Sequence, residues 1–190
     1  MDIFNILITG VGGQGILLAS DITANAAMKE GHDVKKSEIH GMSQRGGSVF
    51  SHIRFGKKVY SPVIPGGKTD IIISFEEMES IRWPEYIGEA TRFYINNNRI
   101  MPEGAASYPD GIISSLEGKY KKVVTIDQEK LLKIIGKPKY LNTAILGIAS
   151  NDINFNEESW KAAINEESPK GTYEENFDAF CKGRNFLKKK

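Results

Sequence analysis

Gly10, Gly12 and Gly15 stand at the G-x-G-x-x-G spacing, with Gly13 and Gln14 between them. At the start of a helix such a turn aims backbone N–H groups at a phosphate or carboxylate, and the helix dipole adds to the attraction. Each glycine has its own expected role, Gly10 allowing the tight turn, Gly12 close approach of an anionic ligand, and Gly15 close packing of helix on strand. Gln14 at the apex brings an amide that donates and accepts together. The same spacing also serves as a plain β-to-α connection with no ligand. A second cluster, His40-Gly41-Met42-Ser43-Gln44-Arg45-Gly46-Gly47-Ser48, is the densest polar and glycine segment of the chain. Arg45 offers a planar fork for a carboxylate or phosphate, Gln44 an amide, Ser43 a hydroxyl, and Gly46-Gly47 a backbone able to bend around an anion. Its chemistry fits substrate binding or subunit contact better than catalysis, a bare surface loop being the alternative.

No other residues form a catalytic constellation, and the catalytic residues are unknown from sequence. His32, His40 and His52 are 8 and 12 residues apart with no carboxylate or thiol at ligand spacing, so no metal site is expected. No serine sits in a G-x-S-x-G elbow, and Cys181 falls on an apolar helix face. Glu76, Glu77 and Glu79 read as a solvated helical face. Gly67-Lys68-Thr69 resembles the tail of a Walker A loop, but Pro62 stands where the first glycine belongs and a strand pattern follows instead of a helix.

The elements that would position these groups alternate in type. An apolar strand over residues 3–9 feeds the glycine turn, and Ile16, Leu17, Ala19, Ile22, Ala26 and Ala27 mark a helix over 15–29. A short strand over 32–37 follows; Lys35 and Lys36 occupy the window where a dinucleotide site places its ribose-binding acid, with Glu38 just past it. If the first two strands are parallel, residues 38–48 share the glycine turn's sheet edge, where open α/β sheets bind ligands. In 49–55, Val49, Ser51, Ile53 and Phe55 alternate with Phe50, His52 and Arg54, and Gly56-Lys57 is read as turning the chain into a hairpin with 58–61. Further strands are expected at 69–75, 92–95 and 122–126, with a helix over 76–83 and a long loop marked by Pro102, Gly104, Pro109 and Gly111. Asp127 caps a helix to 135, and helices follow over 142–150, 156–166 and 173–187. The fold class is α/β: a three-layer, Rossmann-like, mostly parallel sheet with helices on both faces, a hairpin and a helical C-terminal tail. One domain over 1–190 is expected, with an α/β core to 140 and the tail beyond.

Lys and Arg number 25 against 24 Asp and Glu, so the chain lacks the electrostatic footprint of a nucleic-acid binder. Met1 runs almost directly into a strand, so no signal peptide is expected, and no apolar run approaches the roughly 20 residues of a membrane span. A cytoplasmic protein is expected. The single cysteine, Cys181, agrees with a reducing compartment and excludes a cysteine-ligated cluster within this chain.

Three segments together resemble one family: Gly10-Val11-Gly12-Gly13-Gln14-Gly15, then Ser37-Glu38-Ile39 with the cluster from His40 to Ser48, then Val59-Tyr60-Ser61-Pro62 with Ile64-Pro65. The chain resembles the gamma-type domain of 2-oxoacid:ferredoxin oxidoreductases, and within them the beta subunits of the indolepyruvate branch. The likeness is strongest over residues 3–83 and continues through Asn142-Thr143-Ala144-Ile145-Leu146-Gly147 and the last helix with Asn176 and Phe180. It implies an enzyme that oxidatively decarboxylates arylpyruvates such as indolepyruvate and phenylpyruvate to aryl-acetyl-coenzyme A, passing two electrons to ferredoxin. It also implies that thiamine diphosphate and [4Fe-4S] clusters sit on an alpha subunit, with coenzyme A as co-substrate and no cofactor bound by this chain alone. That division of labour matches the single cysteine and the missing constellation, and the isolated chain is expected to be inactive. A subunit for another 2-oxoacid, or a free-standing dinucleotide-binding protein, are the rival expectations.

Overall fold

A computed structural model describes residues 3–41, 47–102 and 104–188. Met42, Ser43, Gln44, Arg45 and Gly46 lie outside the described residues. The strands are β1 (Phe4–Val11), β2 (Asp33–His40), β3 (Ser48–Gly56), β4 (Thr69–Ser74), β5 (Ile87–Asn96) and β6 (Val123–Ile126). The helices are α1 (Ile16–Lys29), α2 (Ile112–Lys119), α3 (Gln128–Ile135), α4 (Leu141–Ala149), α5 (Glu157–Glu167) and α6 (Tyr173–Arg184).

The strands form one sheet in the order β2-β3-β1-β4-β5-β6. β1, β4, β5 and β6 pair in parallel, and the apolar runs of β1, β4 and the second half of β5 are buried on both faces, as covered parallel strands require, while β6 closes the edge with only Ile126 fully buried. β3 is antiparallel to both β1 and β2, so β2 points the same way as β1 from one strand further out. The carboxyl ends of β1 and β2 therefore do share an edge, as expected, although the two strands never touch. The hairpin is β2–β3, with Asp33 opposite Gly56 and His40 opposite Val49. The expected partner segment 58–61 forms no strand: it folds back over the sheet, where the buried Arg54 guanidinium donates to the carbonyls of Ser61 (2.7 Å) and Val63 (3.1 Å).

Alternation along the strands divides the core in two. Ile6, Ile8, Ile53, Ile71, Ile73 and Tyr94 face a layer built from α1, α3, α4, α5 and α6. Leu7, Phe50, Ile72, Phe93 and Ile95 face a thinner layer in which Ile64 and Ile112 and Leu116 of α2 supply the cover. Helices thus lie on both faces, unequally. The 76–83 helix is replaced by a single 3-10 turn over Met78–Ser80, and α2 follows directly on the expected loop, opening right after Gly111.

The C-terminal helices expected after residue 140 form and pack into the core. Residues 142–149 of α4 are all buried, as expected of a helix that is apolar around its whole circumference. A chain of rings, Phe55, Phe155, Trp160 and Phe180, with centroids 5.0, 5.4 and 5.2 Å apart, joins the sheet to α6. The local caps form as expected: Asp127 accepts from the Lys130 N–H (3.0 Å) and Asn156 from the Ser159 N–H (2.8 Å).

Candidate functional site

The first turn after β1 is built around the Gln14 side chain. Its Oε1 accepts the Val11 N–H at 2.7 Å and its Nε2 donates to the Phe75 carbonyl at 3.0 Å, fastening the turn to the residue that follows β4. Gly10 leaves the room for this amide, since a Cβ there would lie 2.8 Å from Gln14 Oε1 and 3.0 Å from Ile16 Cδ1. The conformations that need glycine are elsewhere, at Gly13 (φ 95°) and Gly15 (φ 79°). Gly15 opens α1 and abuts α4 rather than a strand: a Cβ would come within 2.4 Å of Asn142 Nδ2, which donates to the Gly15 carbonyl at 3.2 Å.

The two glycine-rich segments meet. Val11 pairs with Ser48 across β1 and β3, the Gly12 N–H donates to the Gly47 carbonyl at 2.9 Å, and the Gly41 N–H to the Ser48 carbonyl at 2.8 Å. Gly12 is thereby engaged within the chain, and the Gln14 N–H is taken by Val11 O at 3.1 Å. The turn presents Gly12, Gly13 and part of Gly15 outward, beside the N-terminus of α1, which carries no side-chain cap and no acidic residue in its first turn.

Beside this turn lies a cavity of about 350 Å³ along the carboxyl ends of β1, β4 and β5. Gly13 and Gly15 form one wall, with Asn142; Asn96, Asn98 and Gln128 supply further amides, and Lys139 is the one charged lining residue among those described. Asn96 is 1% exposed and donates to the Phe75 carbonyl (3.1 Å) and to Gln128 Oε1 (2.6 Å), while its own Oδ1 has no partner among the described residues. A crevice of neutral amides, a helix N-terminus and one ammonium group suits an anionic ligand that also carries donors for hydrogen bonding.

Behind the cavity stand the groups that sequence misassigned. Glu76, Glu77 and Glu79 are 1%, 2% and 2% exposed, not a solvated face. Glu76 accepts from the Ile100 N–H (3.0 Å), the Tyr108 hydroxyl (2.6 Å) and the Glu79 N–H (3.0 Å). Glu77 forms a two-pronged pair with Arg99 at 2.9 and 3.1 Å. Glu79 accepts from the Ser48 hydroxyl and from Arg82 Nε; burial pushes its carboxyl up, against the pull of Ser48 and Arg82. The Tyr108 hydroxyl is held well above its ordinary range by burial and by the Glu76 carboxylate.

Two features differ from a dinucleotide site. The place beside β1 that β2 would fill is taken by β3, which moves the end of β2 two strand spacings, roughly 10 Å, from the turn. Lys36 is paired with Asp21 and Glu38, and Lys35 with Asp33, so neither is set toward a 2′-phosphate. Among the described residues no group of three or more His, Cys, Asp or Glu could hold a metal ion, and one cysteine does not fit an iron–sulfur cluster. No helix among the described residues is long and apolar enough to cross a membrane.

Gln14 gives a direct test of this construction. Replacing it with alanine strips the Val11 N–H and the Phe75 carbonyl of their partners at once, and the expected loss is about 2 kcal/mol in urea unfolding. Gln14→Glu keeps the acceptor for Val11 but sets a carboxylate against the Phe75 carbonyl, so it should not restore stability at pH 7.

The sequence matches the model of the pyruvate ferredoxin/flavodoxin oxidoreductase family over residues 5–186. It is 38% identical over 186 residues to the indolepyruvate oxidoreductase subunit IorB of Thermococcus kodakarensis, covering 93% of this chain and 92% of that one. In fold it is similar to the gamma subunit of a keto/oxoacid ferredoxin oxidoreductase from Geobacter sulfurreducens, with a TM-score of 0.70 at 20% identity over 95% of both chains. It also superposes on part of the 2-oxoglutarate:ferredoxin oxidoreductase of Magnetococcus marinus, with a TM-score of 0.75 at 22% identity, covering 99% of this chain and 31% of that one. The glycine turn, the β2–β3 hairpin that meets it and the buried last helices all fall inside the matched span, and the chain belongs to the pyruvate ferredoxin/flavodoxin oxidoreductase family as a subunit of a 2-oxoacid:ferredoxin oxidoreductase complex.

Proposed function

We propose that this subunit serves an oxidoreductase of the indolepyruvate type, which converts an arylpyruvate such as indolepyruvate or phenylpyruvate, with coenzyme A, to the aryl-acetyl-coenzyme A and carbon dioxide. The two electrons released pass to ferredoxin. The chain's part is to supply one side of the coenzyme A or 2-oxoacid site, facing an alpha subunit that holds thiamine diphosphate and the [4Fe-4S] clusters. Thiamine diphosphate supplies the carbanion chemistry there, which leaves binding, orientation and electrostatics to this chain. One observation carries the proposal: the Gly12 N–H to Gly47 carbonyl bond brings the glycine turn and the start of β3 to one sheet edge, beside a crevice whose charged lining residue is Lys139.

On this reading Gly13, Gly15 and the α1 N-terminus receive an anionic group, Gln14 and Gly10 hold their shape, and Lys139 adds positive charge. His40, Gly41, Gly47 and Ser48 form the hairpin ends beside them, and Arg45 with Met42, Ser43, Gln44 and Gly46 is the segment offered to ligand or partner. Replacing Arg45 with alanine in the reconstituted complex should raise the KM for coenzyme A or for the 2-oxoacid about tenfold, with assembly intact, from the loss of one charge-assisted contact. A docking role alone predicts failed assembly; unchanged assembly and kinetics overturn the proposal for this segment. Assays with arylpyruvates against pyruvate and 2-oxoglutarate decide the substrate branch.

A further inference from the structure

The turn after β4 is fastened to two separate parts of the binding edge through carboxylates that no ligand can reach. Phe75 joins it to β1 by donating to the Thr9 carbonyl at 2.9 Å. On one side the Glu77 N–H donates to the Asn98 carbonyl at 2.9 Å while its carboxylate grips Arg99, and Glu76 takes the Ile100 N–H and the Tyr108 hydroxyl. This is the segment that carries Asn98 and Ile100 to the cavity wall. On the other side Glu79 takes the Ser48 hydroxyl, one residue beyond the Gly47 carbonyl that receives the Gly12 N–H. The Glu77 and Glu79 side chains are 3% and 2% exposed, so whatever they do for a ligand they do through their partners, Arg99 for Glu77 and Ser48 and Arg82 for Glu79.

Stability alone is a poor reason for such groups. Burying carboxylates carries a large desolvation cost, and well-packed apolar residues commonly stabilise a fold as much. What a carboxylate adds is direction: a two-pronged grip on a guanidinium fixes a loop in angle as well as distance.

We propose that Glu77 and Glu79 are positioning residues of the binding edge, Glu77 fixing the segment after β5 that bears Asn98 and Ile100, and Glu79 fixing the start of β3 against the glycine turn. The proposal rests on the reading that this edge takes coenzyme A. The two carboxylates share one turn but hold different segments, so each half has its own local readout.

The test uses the assembled complex carrying Glu77→Gln or Glu79→Gln, both of which keep the side-chain shape while removing the charge. Amide hydrogen exchange should rise at least about fivefold within residues 97–108 for Glu77→Gln and within 47–50 for Glu79→Gln, with β1 and β4 unchanged, as expected of local rather than global opening. The KM for coenzyme A should rise about tenfold in each with kcat within about twofold, since the chemistry lies on the partner. Restoring the charge as Glu77→Asp should recover part of the KM; a loss due only to packing would not recover. Exchange that stays unchanged, or that rises evenly through the sheet, overturns the positioning role whatever the kinetics. Local exchange as expected with an unaltered coenzyme A KM keeps the positioning role and overturns the coenzyme A reading of the edge.

Discussion

Gly183→Ala should cost about 3 kcal/mol or more, enough to lower the thermal midpoint by several degrees. α4 and α6 cross with their backbones in contact at two glycines. A Cβ on Gly183 would sit 2.0 Å from the Ala144 carbonyl oxygen and 2.9 Å from its carbon, and one on Gly147 would sit 2.2 Å from the Phe180 carbonyl oxygen. Neither obstacle is a flexible side-chain tip, so the helices must part, and parting them opens the packing around Ala179 and Phe180, which are 2% and 0% exposed. Overpacking of this kind costs about 1–3 kcal/mol where side chains can adjust, and more where backbone must move. The neighbouring polar ties add to the loss: Asn176 accepts from the Thr143 hydroxyl at 2.7 Å, a bond whose length depends on the same helix separation. Gly118→Ala in α2 is the matched control. It makes the same chemical change inside a helix with nothing within 4 Å of the new methyl, and should raise stability by about 0.5–1 kcal/mol. Chemical denaturation of both variants at equal pH decides the matter; equal effects at the two sites would dismiss the backbone contact as the cause.

That crossing shows where sequence stops being informative. Gly147 and Gly183 lie in good helical patterns, and nothing local marks them as the point of closest approach. Signals that act over three or four residues are readable: Asp127 and Asn156 cap as expected, and the alternation of 49–55 sorts its side chains correctly between the two faces. The same alternation does not say that the face bearing His52 and Arg54 is covered as well. Its cover is the irregular segment after Gly56, held by the Arg54 guanidinium, so the expected 58–61 strand gives way to side-chain contacts that no strand pattern encodes.

The candidate site is legible to the same depth. Two glycine-rich segments at the carboxyl ends of like-directed strands are expected to meet, and they do, through Gly12 and Gly47. The insertion of β3 between those strands is not legible, because pairing order depends on long-range register. Glu76, Glu77 and Glu79 mislead most, since a run of acids reads as solvated surface. Their partners Arg99, Ile100, Tyr108 and Ser48 are 22 to 32 residues away in sequence, beyond the reach of any local pattern. The run Asn96-Asn97-Asn98 directly after a strand is the available clue to the amide-lined crevice, and its composition alone marks only the start of a loop.

His52 should make the chain lose about 3 kcal/mol of stability between pH 6.5 and pH 4. The imidazole is fully buried on β3, edge-on to the Phe50 and Tyr86 rings at 5.3 and 4.8 Å. Its Nδ1 accepts the Ile64 N–H at 3.4 Å, which assigns the proton to Nε2, an atom with no partner among the described residues. Burial, and then the positive charge of Arg54, hold it down at about 4 against a weaker opposing pull from Glu85. In the unfolded chain the group titrates near 6.5, so above that pH it is neutral in both states and contributes nothing to pH dependence. As the pH falls from 6.5 toward 4 the unfolded state binds a proton that the folded state refuses, and stability drops; below about 4 both states are protonated and the loss levels off. The drop from 6.5 to about 4, at 1.36 kcal/mol per pH unit, gives the figure of about 3 kcal/mol. His52→Asn places a non-titrating carbonyl where Nδ1 accepts. At about pH 7.5 the variant should be the less stable protein, because it fills less of the space between Phe50 and Tyr86, and by about pH 4 the gap should close or reverse. Burial also raises the carboxyls of Asp70 and Glu79, whose contribution runs the opposite way, gaining as the pH falls, but both are present in the two proteins and cancel in the difference. Urea midpoints for the pair at several values between about pH 7.5 and pH 4 measure that difference directly, and parallel curves would show that His52 does not set the acid limit of the fold.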